Sequence, residues 1–173
     1  MSAKVVIVTE DDRVVDVQDR LQAHLGQGML HRAFMVLIFN RKGELLIQKR
    51  GQGKMLWPLH WENSCSSHPS EDEGQEEAGQ RRVREELGFT CSLRAIGTVR
   101  YQATYKDVGA ENEVCAVLVG RYDGPVVPDC DEVADWKWIS PEELRQDIAD
   151  NPAEYAPWLA LGLECYLTAR TQT

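Results

Sequence analysis

No apolar run in this sequence approaches the roughly 20 residues a membrane-spanning helix needs, so no membrane span is expected. Low-complexity tracts and internal repeats are missing too, which excludes solenoid architectures. Basic residues are the minority: 19 Lys and Arg against 28 Asp and Glu leave a formal charge of -9. That balance argues against a nucleic-acid partner or an acidic membrane surface, so an anionic ligand must be caught by a local basic pocket. The five cysteines are odd in number, lack paired spacings and follow no signal peptide, which points to a reducing cytoplasm rather than a disulfide framework. What remains is a 173-residue chain long enough to bury a hydrophobic core as one domain, expected to be a monomer or weak dimer.

Strand signals come first along the chain. Val5 to Val8 and Val14 to Val17 are β-branched runs around Glu10-Asp11-Asp12, which predicts an N-terminal hairpin. His24 and His31 flank a segment that Gly26 and Gly28 keep from forming a regular helix. Ala33 to Phe39 and Glu44 to Gln48 predict a second hairpin around Asn40-Arg41-Lys42-Gly43. That strand delivers Arg50 and then Lys54 to an aromatic stretch containing Trp57 and Trp61, where cations beside indoles suit a ligand with a charged head and an apolar body.

The densest chemistry lies in Asn63-Ser64-Cys65-Ser66-Ser67-His68-Pro69 and the charged segment after it. Ser70 and Glu73 have capping-box spacing and predict a helix start there. Farther on, Arg82 and Glu86 stand four apart on one face, with Arg81 and Glu85 beside them, and Gly88 falls at the C-cap. Gly74 and Gly79 weaken the first half of this helix. A strand is expected from Ser92 to Tyr101, with Tyr101 and Tyr105 at a loop edge, and another from Glu111 to Val119. Strand alternation puts Glu111, Glu113 and Cys115 on one face; if that face is interior, the two carboxylates call for a metal or a shared proton, and if exterior they are surface acids. Asp135 to Ile139 predicts a strand with Trp136 and Trp138 on one face, Ser140-Pro141-Glu142-Glu143 opens a helix, and a last helix spans about Glu154 to Arg170, carrying Trp158. The order of elements implies α+β, a mixed sheet with helices packed against it.

Ser67-x5-Glu73-x7-Arg81-Arg82-Val83-Arg84-Glu85-Glu86-Leu87-Gly88-Phe89 resembles a Nudix box, with serine for the leading glycine and Arg82 where a glutamate is usual. Five further features resemble one Nudix branch, the type 1 isopentenyl-diphosphate isomerases: Arg82 itself, the W-x-N-S-x-x-x-H-P loop, the ENEVCAV strand, paired upstream histidines, and Ala156-Pro157-Trp158. The resemblance implies a single Nudix-like isomerase domain over residues 1–173, motif-bearing from about 31 to 145, with an N-terminal hairpin and a C-terminal helical elaboration. It implies a divalent metal, Mn²⁺ or Zn²⁺, on His24, His31, His68, Glu111 and Glu113. It further implies Mg²⁺ at Glu86 bridging the diphosphate, and a cationic cradle of Arg20, Arg50, Lys54 and Arg82. Tyr101, Trp61 and Trp158 are implied around the isoprenoid tail of a small-molecule diphosphate substrate.

The implied reaction converts isopentenyl to dimethylallyl diphosphate by a 1,3-proton shift, with an acid and a base on opposite faces of the allylic unit. In the family these are a cysteine and a metal-bound glutamate matching Glu113. The cysteine position here is Ser66, and Cys65 is one residue too early, on the opposite face of an extended segment. Serine is far less acidic than a thiol, so lower activity is implied unless Glu113, Tyr101 or a metal-bound water relays the proton. The alternatives are a Nudix-type diphosphate hydrolase working through Glu85 and Glu86, and a prenyl-diphosphate binding protein without turnover.

Overall fold

The computed structural model describes residues 3–171. Strand β3 (His31–Phe39) is its axis, and all but Arg32 of its nine residues are buried. A strand buried on both faces reads as a continuous apolar run, which accounts for the sequence from Ala33 to Phe39. Around it lie β1 (Lys4–Val8) and β2 (Val14–Asp19), the predicted N-terminal hairpin, and β4 (Leu45–Arg50) with β5 (Trp61–Glu62) beyond. The short β6 (Cys65–Ser67) pairs antiparallel with β3, whereas β8 (Gly109–Arg121) pairs parallel with it. β7 (Leu93–Tyr105) runs antiparallel to β8, and β9 (Val133–Ile139) antiparallel to β4. The result is the mixed sheet expected from the element order.

Alternation along β3 divides the core. Met35, Leu37 and Phe39 face Trp158, Leu159 and Leu163 of α4 (Pro157–Thr171), with Leu144 of α3 (Pro141–Asp150) in the same cluster. Phe34, Val36 and Ile38 face Ala78, Val83 and Leu87 of α2 (Gln75–Leu87) on the other side. The sheet is therefore sandwiched between α2 and the C-terminal helices. Gly79 contributes to this contact: a Cβ there would meet the tips of Leu93 and Leu118 at 2.8 Å. Its cost in helix propensity is offset by close approach of α2 to the sheet.

Local signals decide most boundaries. The Ser140–Glu143 capping box closes α3 at its N-terminus with Pro141 in the first turn, and Gly88, at φ 77°, ends α2 in the left-handed conformation. The Ser70–Glu73 box does not start a helix. The Glu73 carboxylate reaches back to the Ser70 N–H at 3.0 Å and also accepts from Arg81 at 2.7 and 2.8 Å, so it closes a turn, and α2 begins five residues later behind Gly74. Two further boundaries move: Tyr101 and Tyr105 lie within β7 because its pairing with β8 runs to Gly109, and the 3₁₀ turn Pro152–Glu154 takes the start expected of α4.

Candidate active site

Register brings the site together. β3 and β8 pair in parallel with His31 opposite Glu113, and β7 sets Tyr101 opposite Glu113 from the other side. The five-residue helix α1 (Arg20–His24) leads His24 to the same end of the sheet, against Gly109. A side chain at Gly109 would strike the His24 backbone carbonyl, so this approach requires glycine. On β6, Ser66 pairs with Met35 and Cys65 with Val36, which turns the two to opposite faces. Ser66 lines a cavity of about 410 Å³, while Cys65 is fully buried in the α2-side core. Burial and the Glu86 charge hold the Cys65 thiol well above its ordinary pKa, leaving it inert.

His24, His31, His68, Glu111 and Glu113 each direct one donor atom into a group no wider than 4.8 Å. His31 Nε2 stands 3.0 Å from His68 Nε2 and 3.5 Å from Glu113 Oε1. The tautomers follow from the far side of two rings: His24 Nδ1 meets the Arg20 carbonyl at 2.6 Å, and His31 Nδ1 meets the Met29 carbonyl at 2.7 Å. A carbonyl only accepts, so each Nδ1 carries a proton and Nε2 is the atom each ring turns toward the cluster, while the Glu111 carboxylate raises the His24 pKa. Glu111 Oε2, 2.9 Å from His24 Nε2, is buried without a well-formed hydrogen bond. Lone pairs converging from three imidazoles and two carboxylates fit a divalent cation of borderline hardness. Burial, reinforced by the neighbouring His31 and His24, lowers the His68 pKa to about 4, so this ring is a neutral donor. Burial opposes ionisation of Glu113, but His31 and His68 outweigh it and hold the carboxyl well below its ordinary range.

The remaining walls divide by chemistry. Tyr101 donates to Glu113 Oε2 at 2.6 Å, and burial together with the Glu113 charge raises its pKa well above the ordinary value, so it stays protonated. Ser66 donates to Asn63 Oδ1 at 3.0 Å. Trp158 and Tyr101 supply aromatic surface, with centroids 6.1 Å apart. Arg20, Lys54 and Arg82 form a cationic stretch, in which Glu132 accepts from Lys54 and lies 3.3 Å from Arg82. Among the described residues, Arg82 Nε is buried without a hydrogen-bond partner.

Three of the expected residues make other contacts in this structure. Trp61 is absent from the cavity wall: strand alternation gives the face toward Trp158 to Glu62, and the Trp61 ring lies under Lys137 Nζ at 4.7 Å and Lys49 Nζ at 5.6 Å. Glu86 joins neither the five-residue cluster nor the wall, because Arg82 at 2.5 Å and Gln48 at 3.1 Å engage its oxygens. Arg50 does line the cavity, but its donors hold the Leu56 and Trp57 carbonyls and Glu62, so it belongs more to the scaffold than to an anion cradle. Sequence reasoning missed Gln48, Glu62 and Glu132. For Glu62 a signal exists, a lone charge between Trp61 and the uncharged Asn63-Ser64-Cys65.

Residues 29–159 match the NUDIX domain family. The crystal structure of DR0079 from Deinococcus radiodurans has the same fold, with a TM-score of 0.77 at 23% identity over 95% of this chain and 99% of that one. Among curated proteins, the isopentenyl-diphosphate Delta-isomerase of Burkholderia multivorans is 37% identical over 95% of this chain and 93% of its own length. The protein of that name from Nocardia farcinica is 42% identical over 92% of each. The chain belongs to the Nudix family and, within it, to the isopentenyl-diphosphate Delta-isomerases.

Proposed function

We propose that this protein converts isopentenyl diphosphate to dimethylallyl diphosphate by 1,3-proton transfer, with Ser66 in the position of the family's catalytic cysteine. The observation that carries the reading is the Tyr101–Glu113 hydrogen bond, set beside the His/Glu cluster in the cavity that Ser66 lines. His24, His31, His68, Glu111 and Glu113 would hold Mn²⁺ or Zn²⁺, which when bound supplies positive charge that keeps Glu113 ionised. Glu86 would help hold Mg²⁺ at the diphosphate by exchanging a bond it now makes to Arg82 or Gln48. Lys54, Arg82 and Arg20 bind the diphosphate, which takes over from Glu132 as the anion between Lys54 and Arg82.

The chemistry needs a proton added to the terminal methylene and another removed two carbons away. Glu113 and Tyr101 share a hydrogen bond and handle one of these protons. Ser66 stands at the second position, its hydroxyl oriented by Asn63. A hydroxyl far from neutral in pKa transfers protons poorly, so turnover is slower than a thiol would permit. Positive charge that builds on the branched carbon is met by the faces of Trp158 and Tyr101. We read the protein as cytoplasmic, in keeping with its five free cysteines.

The test is product analysis of metal-loaded protein given isopentenyl diphosphate. Dimethylallyl diphosphate is expected; inorganic phosphate released without isomerised product would assign a hydrolase instead.

A further inference from the structure

Glu62 is 1% exposed, and both of its carboxylate oxygens are engaged. Oε1 accepts from Arg50 Nη1 at 2.9 Å and from Gln48 Nε2 at 3.2 Å, while Oε2 accepts from the Trp158 indole N–H at 3.1 Å. A buried ion pair seldom stabilises a fold more than well-packed apolar side chains would. What this pair adds is orientation of two residues in the cavity wall. Resting on the isomerase reading above, we propose that Glu62 is a positioning residue of the site: it fixes the Trp158 indole and neutralises Arg50, so that the aromatic wall meets the substrate with no unbalanced charge behind it.

Contacts extend from Glu62 in two directions. Trp158 lies 6.1 Å, centroid to centroid, from Tyr101, which donates to Glu113, so rotation of the indole is felt at the proton-handling pair. Arg50 holds the carbonyls of Leu56 and Trp57, in a loop where Trp57 (φ 47°) and Leu59 (φ 60°) adopt left-handed conformations. Bulky residues keep such angles only where their surroundings hold them. This loop brings Lys54 and Met55 to the cavity.

Electrostatics give the proposal its distinctive consequence. The Arg50 guanidinium lies 5.2 Å from the Trp158 ring centroid. While Glu62 is ionised that charge is paired. Glu62→Gln keeps an acceptor for the indole but removes the one carboxylate hydrogen-bonded to the guanidinium, leaving only the more distant Glu111 and Glu86 to offset its charge beside the wall that must face a developing cation. The same charge attracts a diphosphate, so ground-state binding and the transition state respond in opposite senses.

For Glu62→Gln we expect kcat for isopentenyl diphosphate to fall about tenfold, equivalent to about 1.4 kcal/mol, with KM no higher than wild type. A rise in KM, or activity lost only in step with a falling Tm, would mark a merely structural residue and overturn the proposal. Trp158→Phe removes the indole N–H; combined with Glu62→Gln it should cost less than the product of the single effects. Multiplicative losses would contradict the coupling. The Trp158 indole N–H resonance, assigned by its disappearance in Trp158→Phe, reads the bond without turnover. It should move upfield in Glu62→Gln, and an unmoved resonance overturns the proposal whether or not the protein isomerises. Wild-type protein that does not turn over isopentenyl diphosphate sinks the isomerase reading instead, a separate failure from that of the Glu62–Trp158 bond.

Discussion

His31 Nε2 and His68 Nε2 face each other across 3.0 Å, and the Met29 carbonyl fixes which His31 nitrogen offers a lone pair. Two imidazole nitrogens this close, with Glu111 and Glu113 beside them, suit a shared cation. Zn²⁺ or Mn²⁺ titrated into metal-free protein should raise its stability by about 2.7 kcal/mol once free metal is about 100 times Kd, read as a Tm increase. His68→Ala should remove most of that gain. A wild-type Tm indifferent to both ions would contradict the assignment.

Gly109 touches the same centre through the backbone. Because a Cβ there meets the His24 carbonyl, Gly109→Ala must displace α1 or distort β8. Strain of this kind costs typically about 1–3 kcal/mol. Metal affinity should fall about tenfold as well, because His24 leaves its position. Calorimetric metal titration of the variant checks both; unchanged affinity would show that α1 adapts freely.

Cys65 and Ser66 differ by one residue and should differ in every assay. Cys65→Ala is expected to cost about 1–2 kcal/mol in stability with little change in kcat, because the thiol packs in the core away from the cavity. In native protein, thiol reagents should modify the exposed Cys130 before Cys65. Ser66→Cys should raise kcat at least about tenfold, since positioned acid–base groups contribute roughly 10²–10⁴. Turnover lost in a Cys65→Ala protein that still folds would reverse the assignment of faces.

The Glu73–Arg81 pair gives an acid limb to stability. Hydrogen bonds from Arg81 hold the Glu73 carboxyl below its ordinary 4.5, outweighing its partial burial. A depressed carboxyl stabilises the fold above the unfolded-state value, and that contribution is lost as pH falls through the folded-state value. Glu73→Gln should therefore cost about 1 kcal/mol near neutrality, and the gap from wild type should close as pH falls below 4.5. Urea melts across that range test it; a gap that persists in acid would mean the charge is not what Glu73 contributes.

Legibility from sequence followed the reach of each signal. The strand alternation that set Glu111, Glu113 and Cys115 on one face, the Ser140 cap and the opposed faces of Cys65 and Ser66 are local, and the structure carries them. The Ser70–Glu73 box failed because its pattern is shared by turns, and Arg81 competes for the same carboxylate. Trp61 at the tail was implied by the resemblance, whereas alternation on β5 turns its ring to Lys137 and Lys49. Arg50, Gln48, Glu62 and Trp158 form a network spanning more than 100 residues of sequence; Gln48 carries no local signal, and Glu62 only that of a lone charge after Trp61. Resemblance supplied the metal cluster because no periodicity links His24, His31 and His68.

The most direct measurement is proton NMR of metal-loaded wild-type protein incubated with isopentenyl diphosphate in D₂O, beside Ser66→Cys. Proton transfer at this site predicts dimethylallyl diphosphate with deuterium in a methyl group, formed faster by Ser66→Cys. Phosphate release with no deuterated product from either protein would contradict the account.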